Sequence, residues 1–502
     1  DAGRPRQLLH FSDVHLNLSA SLDLRESAAI RMRYFRDAPL VLLESALTFA
    51  QQVAPSPDFF LYTGDHVAHG LFSDEYIAAT LETNVKTIEK FFPPAGPSDA
   101  DDSEQDGVAG VKETTAIIGN ADGNPDYYME VTNPNARANP SIEKVSTVWR
   151  TSLSAPNFEV LNRRGFLTYE LAEKLHVLTL NTVPYSPSHV PDTSKTPDPF
   201  GQFAWLNATL AGLQAQGKFA YIAGHIAPIV DSYGGDPQWH PHYIAAYKSI
   251  VGRYAGVVKA QVFGHVHSVE FRVAPASVDA AAATAGAFEL APLFVSGSIS
   301  PLFGNNPSFM VWDYDPATFD VLDYAVYGTN ISEADQKLDW QLLFKASEAY
   351  GLKALANADL RDLYRRLEQS PALLETYYWN MKAQSHRGVP CSAALCRAKT
   401  LCSLKWWTTK GEYLACVDGA VTTATLVTTI ATKDGDSRSG GARSQLSLEP
   451  SDVYVVIFMT VIATTVIVAV VLSVMRGLRR SGAIKTPEQR EERERENFFP
   501  ML

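Results

Sequence analysis

Cysteine is scarce and confined to one stretch. The 502 residues contain four, all between Cys391 and Cys416, so everything before them must fold on a hydrophobic core rather than on a disulfide framework. Positive charge is also in deficit: 43 Lys and Arg face 55 Asp and Glu, a formal charge of -12. That argues against a general nucleic-acid binder, whose affinity depends on a basic surface, and no nucleic-acid partner is expected. Repeats of the solenoid type are absent. The chain begins at Asp1 rather than Met, with no apolar leader ahead of the first apolar run, and a removed signal peptide accounts for both.

What is present begins with 46% hydrophobic content, enough for one large core and a smaller appended unit. The run Val453 to Met475 carries no charge and is bounded by Asp452 and Arg476. It is long enough to cross about 30 Å of hydrocarbon as a helix. Arg476, Arg479, Arg480 and Lys485 follow it, which places the tail in the cytosol and the preceding chain outside or in a lumen. The expectation is a single-pass type I protein with a transmembrane helix over 452–475 and a cytoplasmic tail over 476–502. Oxidising surroundings would preserve disulfides, and four cysteines allow three pairings. A zinc knuckle is disfavoured because none of the spacings is Cys-x-x-Cys. Sequons at Asn17, Asn207 and Asn330 are compatible with glycosylation.

Pro93 to Lys112 reads as an acidic, solvated insertion. From Glu333 to Lys382, Leu342, Leu343, Ala346, Ala349 and Tyr350, then Leu360, Leu363, Tyr364 and Leu367, recur at helical spacing. This gives a helical subdomain over 333–418 that includes the cysteines. The Thr-, Ser- and Gly-rich stretch over 419–451 reads as a flexible stalk.

The chemistry lies in the first part of the chain. Five short apolar runs end in polar residues that can bind a metal. Leu8 to Ser12 leads into Asp13-Val14-His15, Phe59 to Thr63 into Gly64-Asp65, and Ala116 to Ile118 into Gly119-Asn120. Tyr221 to Ala223 leads into Gly224-His225, and Ala260 to Phe263 into Gly264-His265-Val266-His267. Such runs read as buried strands, and functional groups of an open α/β sheet collect just past strand ends. Carboxylate, imidazole and amide oxygen suit zinc, manganese or iron. Asp13, His15, Asp65, Asn120, His225, His265 and His267 are too many for one tetrahedral ion and suit two ions sharing a carboxylate. In Asp13-Val14-His15 and His265-Val266-His267, alternation along extended backbone sends both ligands to one side.

The ordered series Asp-x-His, Gly-Asp, Gly-Asn, Gly-His and Gly-His-x-His resembles the calcineurin-like metallophosphoesterases. The finer matches Gly64-Asp65-His66-Val67-Ala68-His69, Asn181-Thr182, Gly201 to Leu206 and Gly224-His225-Ile226-Ala227-Pro228 make it similar to the acid sphingomyelinase-like branch, which itself resembles vacuolar endopolyphosphatases. The resemblance implies an α/β (α+β) fold, a two-sheet β-sandwich flanked by helices, over a catalytic domain spanning 1–332. It implies two divalent ions, zinc before manganese or iron. Asp13, His15, Asp65 and His267 would hold one, and Asp65, Asn120, His225 and His265 the other, with Asp65 as the bridge. It implies disulfides Cys391 with Cys396 and Cys402 with Cys416. Hydrolysis of a phosphodiester or phosphoanhydride by metal-bound hydroxide follows, with His69 as general acid. The substrate would be a phosphorylated small molecule, a lipid or polyphosphate. No saposin-like segment precedes Leu8, which weakens sphingomyelin as that substrate.

One departure stands out. The family places a His directly after the ligand Asn, and this chain has Ala121, which neither donates a proton nor hydrogen-bonds through its side chain. That leaves an inactive surface glycoprotein binding a phosphorylated ligand as the rival reading. His66 could compensate but reads better as structural. Tyr185 and the run Gln238-Trp239-His240-Pro241-His242 read as a substrate rim, His10 and His176 as structural, and Ser12 and Thr63 as caps of backbone groups.

Overall fold

The computed structural model describes residues 4–19, 32–94, 114–150, 152–274, 290–331, 338–387 and 390–435. The architecture below belongs to the compact unit Asp1–Val427. Its strands are β1 (Arg6–Phe11), β2 (Phe59–Tyr62), β3 (Leu167–Ala172), β4 (Leu175–Leu180), β5 (Phe219–Gly224), β6 (Val258–Phe263), β7 (Glu270–Arg272), β8 (Leu293–Val295), β9 (Ser308–Tyr314), β10 (Val321–Gly328) and β11 (Gln341–Lys345). They form two sheets, ordered β11-β10-β9-β1-β2 and β3-β4-β5-β6-β8-β7. β1 runs parallel to β2, and β4, β5, β6 and β8 run parallel in the second sheet. This is the two-sheet arrangement with helices that the resemblance implies.

Alternation within the strands explains the layering. In β1, Leu8 joins Phe59, Tyr221, Val262 and Trp312 in the core between the sheets. Its neighbours Leu9 and Phe11 face the other way, against Leu42, Leu43, Ala46, Leu47 and Ala50 of the helix Leu40–Val53. β5 repeats the pattern: Tyr221 and Ala223 point inward, while Ala220 and Ile222 meet Leu206, Leu210, Tyr243 and Tyr247 of the flanking helices Gln202–Ala215 and Pro241–Arg253. Strands buried on both faces read as near-continuous apolar runs, as these do. Their carboxyl ends lie together, and the loops leaving them carry the polar residues.

Three sequence-based expectations are corrected. Ala116–Ile118 is not a strand. Thr115 takes the ladder's place, its N–H donating to Phe60 O and its hydroxyl to Tyr62 O while accepting from Tyr62 N. Gln341–Lys345 is a strand rather than helix, because it completes the open edge of β10 by antiparallel pairing, and edge pairing overrides helical spacing. The last helix, Lys410–Gly435, continues through residues 419–435, which composition assigned to a stalk. The helices Asn357–Gln369, Pro371–Met381 and Ala394–Ser403 are as expected in kind.

Cys391 bonds to Cys396 and Cys402 to Cys416, the pairing the resemblance implies. These bridges suit an extracellular or lumenal setting. Among the described residues no helix is long and apolar enough to cross a membrane. The run Val453 to Met475, the tail and most of the acidic insertion lie outside the described residues.

Candidate metal centre

All seven predicted ligands lie in one pocket. Asp13, His15 and His267 bring one ligand atom each into a cluster, and Asp65, His225 and His265 form a second. Asp65 joins them: its Oδ2 lies 3.4 Å from His15 Nε2 and 3.0 Å from His225 Nε2. Asn120 Oδ1 sits 2.9 Å from His225 Nε2. His267 Nε2 is 3.3 Å from Asp13 Oδ1.

The backbone that makes this convergence is strained. Asp13, His15, Asp65, His265 and His267 all have positive φ, between 46° and 74°, so the paired ligands converge from left-handed turns and not from extended backbone as expected. Non-glycine residues in that region cost about 1–3 kcal/mol each and cluster at functional sites. Two glycines permit the close approach. A Cβ on Gly119 would meet Asp65 Oδ1 at 2.0 Å, and one on Gly264 would meet Ser12 Oγ at 2.1 Å.

The donor set fits two cations. Imidazole nitrogens face each other across each cluster, His15 Nε2 to His267 Nε2 at 3.1 Å and His225 Nε2 to His265 Nδ1 at 3.3 Å. Each pair is ringed by carboxylate oxygen, an arrangement a cation between them satisfies better than any single proton. Outer contacts hold the rings: His15 Nδ1 meets Val67 O at 2.9 Å, His225 Nδ1 meets Thr63 O at 2.8 Å, and His265 Nε2 meets Gln238 Oε1 at 3.1 Å. Gln238 is in turn tied to Asp231. Ring partners of this kind set tautomer and orientation.

Charge follows the same geometry. Burial would push His15 and His225 down, but the Asp65 carboxylate together with Asp13, and at His15 with Asp37 as well, outweighs it and holds them at about 10 and about 9. Burial would likewise raise Asp65, yet the His225 and His15 charges keep it below the usual carboxylate range. Burial dominates at His265, lowered to about 3, and also lowers His267.

His69 stands beside the first cluster, its ring stacked on His15 with centroids 4.0 Å apart. Asp37, which the sequence did not reveal, accepts from the His69 backbone N–H at 2.9 Å and lies 3.1 Å from its Nδ1. The exposed Phe303 ring borders His267 and His69. On the other side, buried Ala121 contributes only its N–H, which donates to Asp65 Oδ1 at 2.9 Å. Asp126 accepts from the Asn120 amide, and Tyr127, itself at φ 62°, sets its ring edge against His265.

His66 is buried between Tyr62 and Trp149 with Nδ1 3.0 Å from Asp122 Oδ2, in the structural place expected for it. Two rim residues are corrected: Tyr185 and Trp239 are fully buried, the phenol accepting from Gln202 and the indole donating to Ile226 O. They carry apolar and hydrogen-bonding load inside the fold. Ser12 and Thr63 do not cap backbone groups. Thr63 Oγ1 donates to Ser12 Oγ at 2.6 Å, and Ser12 Oγ donates to Asp13 Oδ2. Asn330 is exposed, and Asn207 lies partly buried on the helix Gln202–Ala215.

Comparison with known proteins agrees with the fold. The Calcineurin-like phosphoesterase family matches residues 6–269, and the chain belongs to that family of metal-dependent phosphoric ester hydrolases, whose fold implies a dinuclear metal site. The Acid sphingomyelin phosphodiesterase C-terminal region matches residues 288–423, which places the chain in the acid sphingomyelinase-like branch. The acid sphingomyelinase-like phosphodiesterase 3b of Mus musculus is 25% identical over 82% of this chain and 89% of its own length. The sphingomyelinase phosphodiesterase C of Dictyostelium discoideum is 25% identical over 75% and 81%. A cyclic GMP-AMP phosphodiesterase of Rattus norvegicus is 24% identical over 73% and 79%.

Proposed function

We propose that this pocket hydrolyses a phosphodiester. The observation that supports it most is the convergence of two ligand clusters on the single carboxylate of Asp65. Asp13, His15, Asp65 and His267 would hold one ion, and Asp65, Asn120, His225 and His265 the other, zinc being the best match to this mixed imidazole and oxygen set. Two such ions supply the Lewis acidity that activates water and grips a phosphoryl group. The chain's own residues do the rest. Asp37 takes Nδ1 of His69 and fixes its ring on His15, which leaves Nε2 to give a proton to the leaving oxygen. Three named relatives act on phosphodiesters by name, which favours a diester over polyphosphate. The exposed Phe303 beside His69 offers an apolar surface to a lipid or base on the leaving-group side.

Ala121 favours a second reading, in which the pocket binds a phosphorylated ligand without turning it over. In either case the apolar run over 452–475 is read as an anchor that would hold the domain on the extracellular or lumenal side. Metal analysis of the purified protein, followed by phosphate release from diesters, monoesters and polyphosphate, decides between them. Two bound ions with diester turnover support hydrolysis. Two bound ions with no turnover across metals and pH leave the binding reading. An epitope after Met475 that is cleaved from outside intact cells would overturn the anchor's orientation.

A further inference from the structure

His10 is fully buried and takes no part in ligation or proton transfer as described so far. The indole N–H of Trp312 donates to its Nδ1 at 3.3 Å. Burial pushes its pKa down to about 3, so the ring is neutral, and a neutral imidazole whose Nδ1 accepts must carry its hydrogen on Nε2. Nε2 lies 3.0 Å from Thr63 Oγ1 and therefore donates to it. Thr63 then donates to Ser12 Oγ, and Ser12 to Asp13 Oδ2. Every hydrogen in the series thus has one direction, from Trp312 on β9 to the metal pocket.

The end of the series acts on Asp13 beside the His265 backbone N–H, which lies 3.1 Å from Oδ1 and 3.0 Å from Oδ2. Oδ2 is occupied by Ser12, while Oδ1 is the oxygen 3.3 Å from His267 Nε2 and 3.8 Å from His15 Nε2. Gly264 gives a second, independent sign that this packing is built. A Cβ there would lie 2.1 Å from Ser12 Oγ, 2.6 Å from Asp13 Oδ2 and 3.1 Å from Thr63 Oγ1, so only glycine clears all three relay atoms. We infer that His10 is a positioning residue: the relay it heads holds Asp13 with Oδ1 presented, and so sets the affinity of the ion held by Asp13, His15, Asp65 and His267. The inference rests on the two-ion reading of the pocket.

The test is titration of the metal-stripped full chain with Zn²⁺. His10→Phe keeps an aromatic ring but removes both nitrogens. It should weaken the first ion about 10- to 100-fold, the usual cost of losing an outer partner of a ligand, while the ion on Asn120, His225 and His265 binds as before. His10→Gln should restore tight binding, since its amide oxygen accepts from Trp312 and its NH₂ donates to Thr63. A merely structural role predicts otherwise: a lower Tm for the metal-free His10→Phe protein with both affinities unchanged. That result overturns the inference, as does a His10→Gln protein that behaves like His10→Phe. Wild-type protein that binds two ions but hydrolyses nothing sinks the proposed reaction and leaves the affinity difference standing.

Discussion

The two sides of the metal pocket have matching ligand sets and unlike surroundings. Asp13, His15 and His267 are backed by a second imidazole, His69, which Asp37 holds in place. Asn120, His225 and His265 are flanked by Ala121, whose side chain carries no polar atom, the carboxyl of Asp126 and the ring of Tyr127. One side can deliver a proton through a histidine side chain and the other cannot. On the proposed roles, metal holding and proton supply are separable, and the second can change while the first stays whole.

Removing what the two sides share should have the largest effect. Asp65→Asn takes away the one carboxylate near both clusters, so metal content and hydrolysis should both collapse, well beyond the about 10- to 100-fold cost of an outer partner. Metal analysis beside a turnover assay checks it, and normal activity would end the two-ion picture. The next effect belongs to the His69 side alone. His69→Gln should slow diesters with poor leaving groups by about 10²- to 10⁴-fold at unchanged metal content. Nitrophenyl esters, which leave without a proton, should lose little.

Ala121→His sharpens the contrast from the other side. The new imidazole should raise turnover of alkyl or lipid diesters more than that of nitrophenyl esters, and an equal gain on both would point to phosphoryl orientation instead. The last effect is on metal uptake itself. In the metal-free pocket His15 and His225 hold their protons up to about 10 and about 9, and an ion needs both rings neutral. Proton release on loading should be seen by calorimetry in buffers of different ionisation heat, with apparent affinity rising with pH up to about 10.

The candidate ligands were legible because each is local: an apolar run, a turn and one polar residue suffice to mark it. Their supports were not. Asp37 reaches His69 across 32 positions, and Asp122 reaches His66 across 56, with no motif at the aspartate end. Ser12 and Thr63 resembled caps because small hydroxyl residues at strand ends commonly are. Parallel pairing of β1 with β2 sets them side by side instead, where they serve each other. The period of Leu342, Leu343 and Ala346 is genuine helical spacing, yet an unpaired strand edge has more to gain from a partner than a short helix from its own bonds. The left-handed turns at the ligands leave no trace in composition, since Asp and His tolerate them without needing glycine.

The order of the first sheet has a practical consequence. β1 sits between β2 and β9, and β9, β10 and β11 all lie beyond residue 269, where the phosphoesterase match stops. A recombinant fragment cut at that limit would keep every metal ligand and still strand β1 and β2 as a two-membered ribbon with a bare apolar edge. Such ribbons are marginal in water, and exposed edges recruit one another. Expression trials should therefore find that fragment in inclusion bodies, while one extended to Gly435 stays in solution.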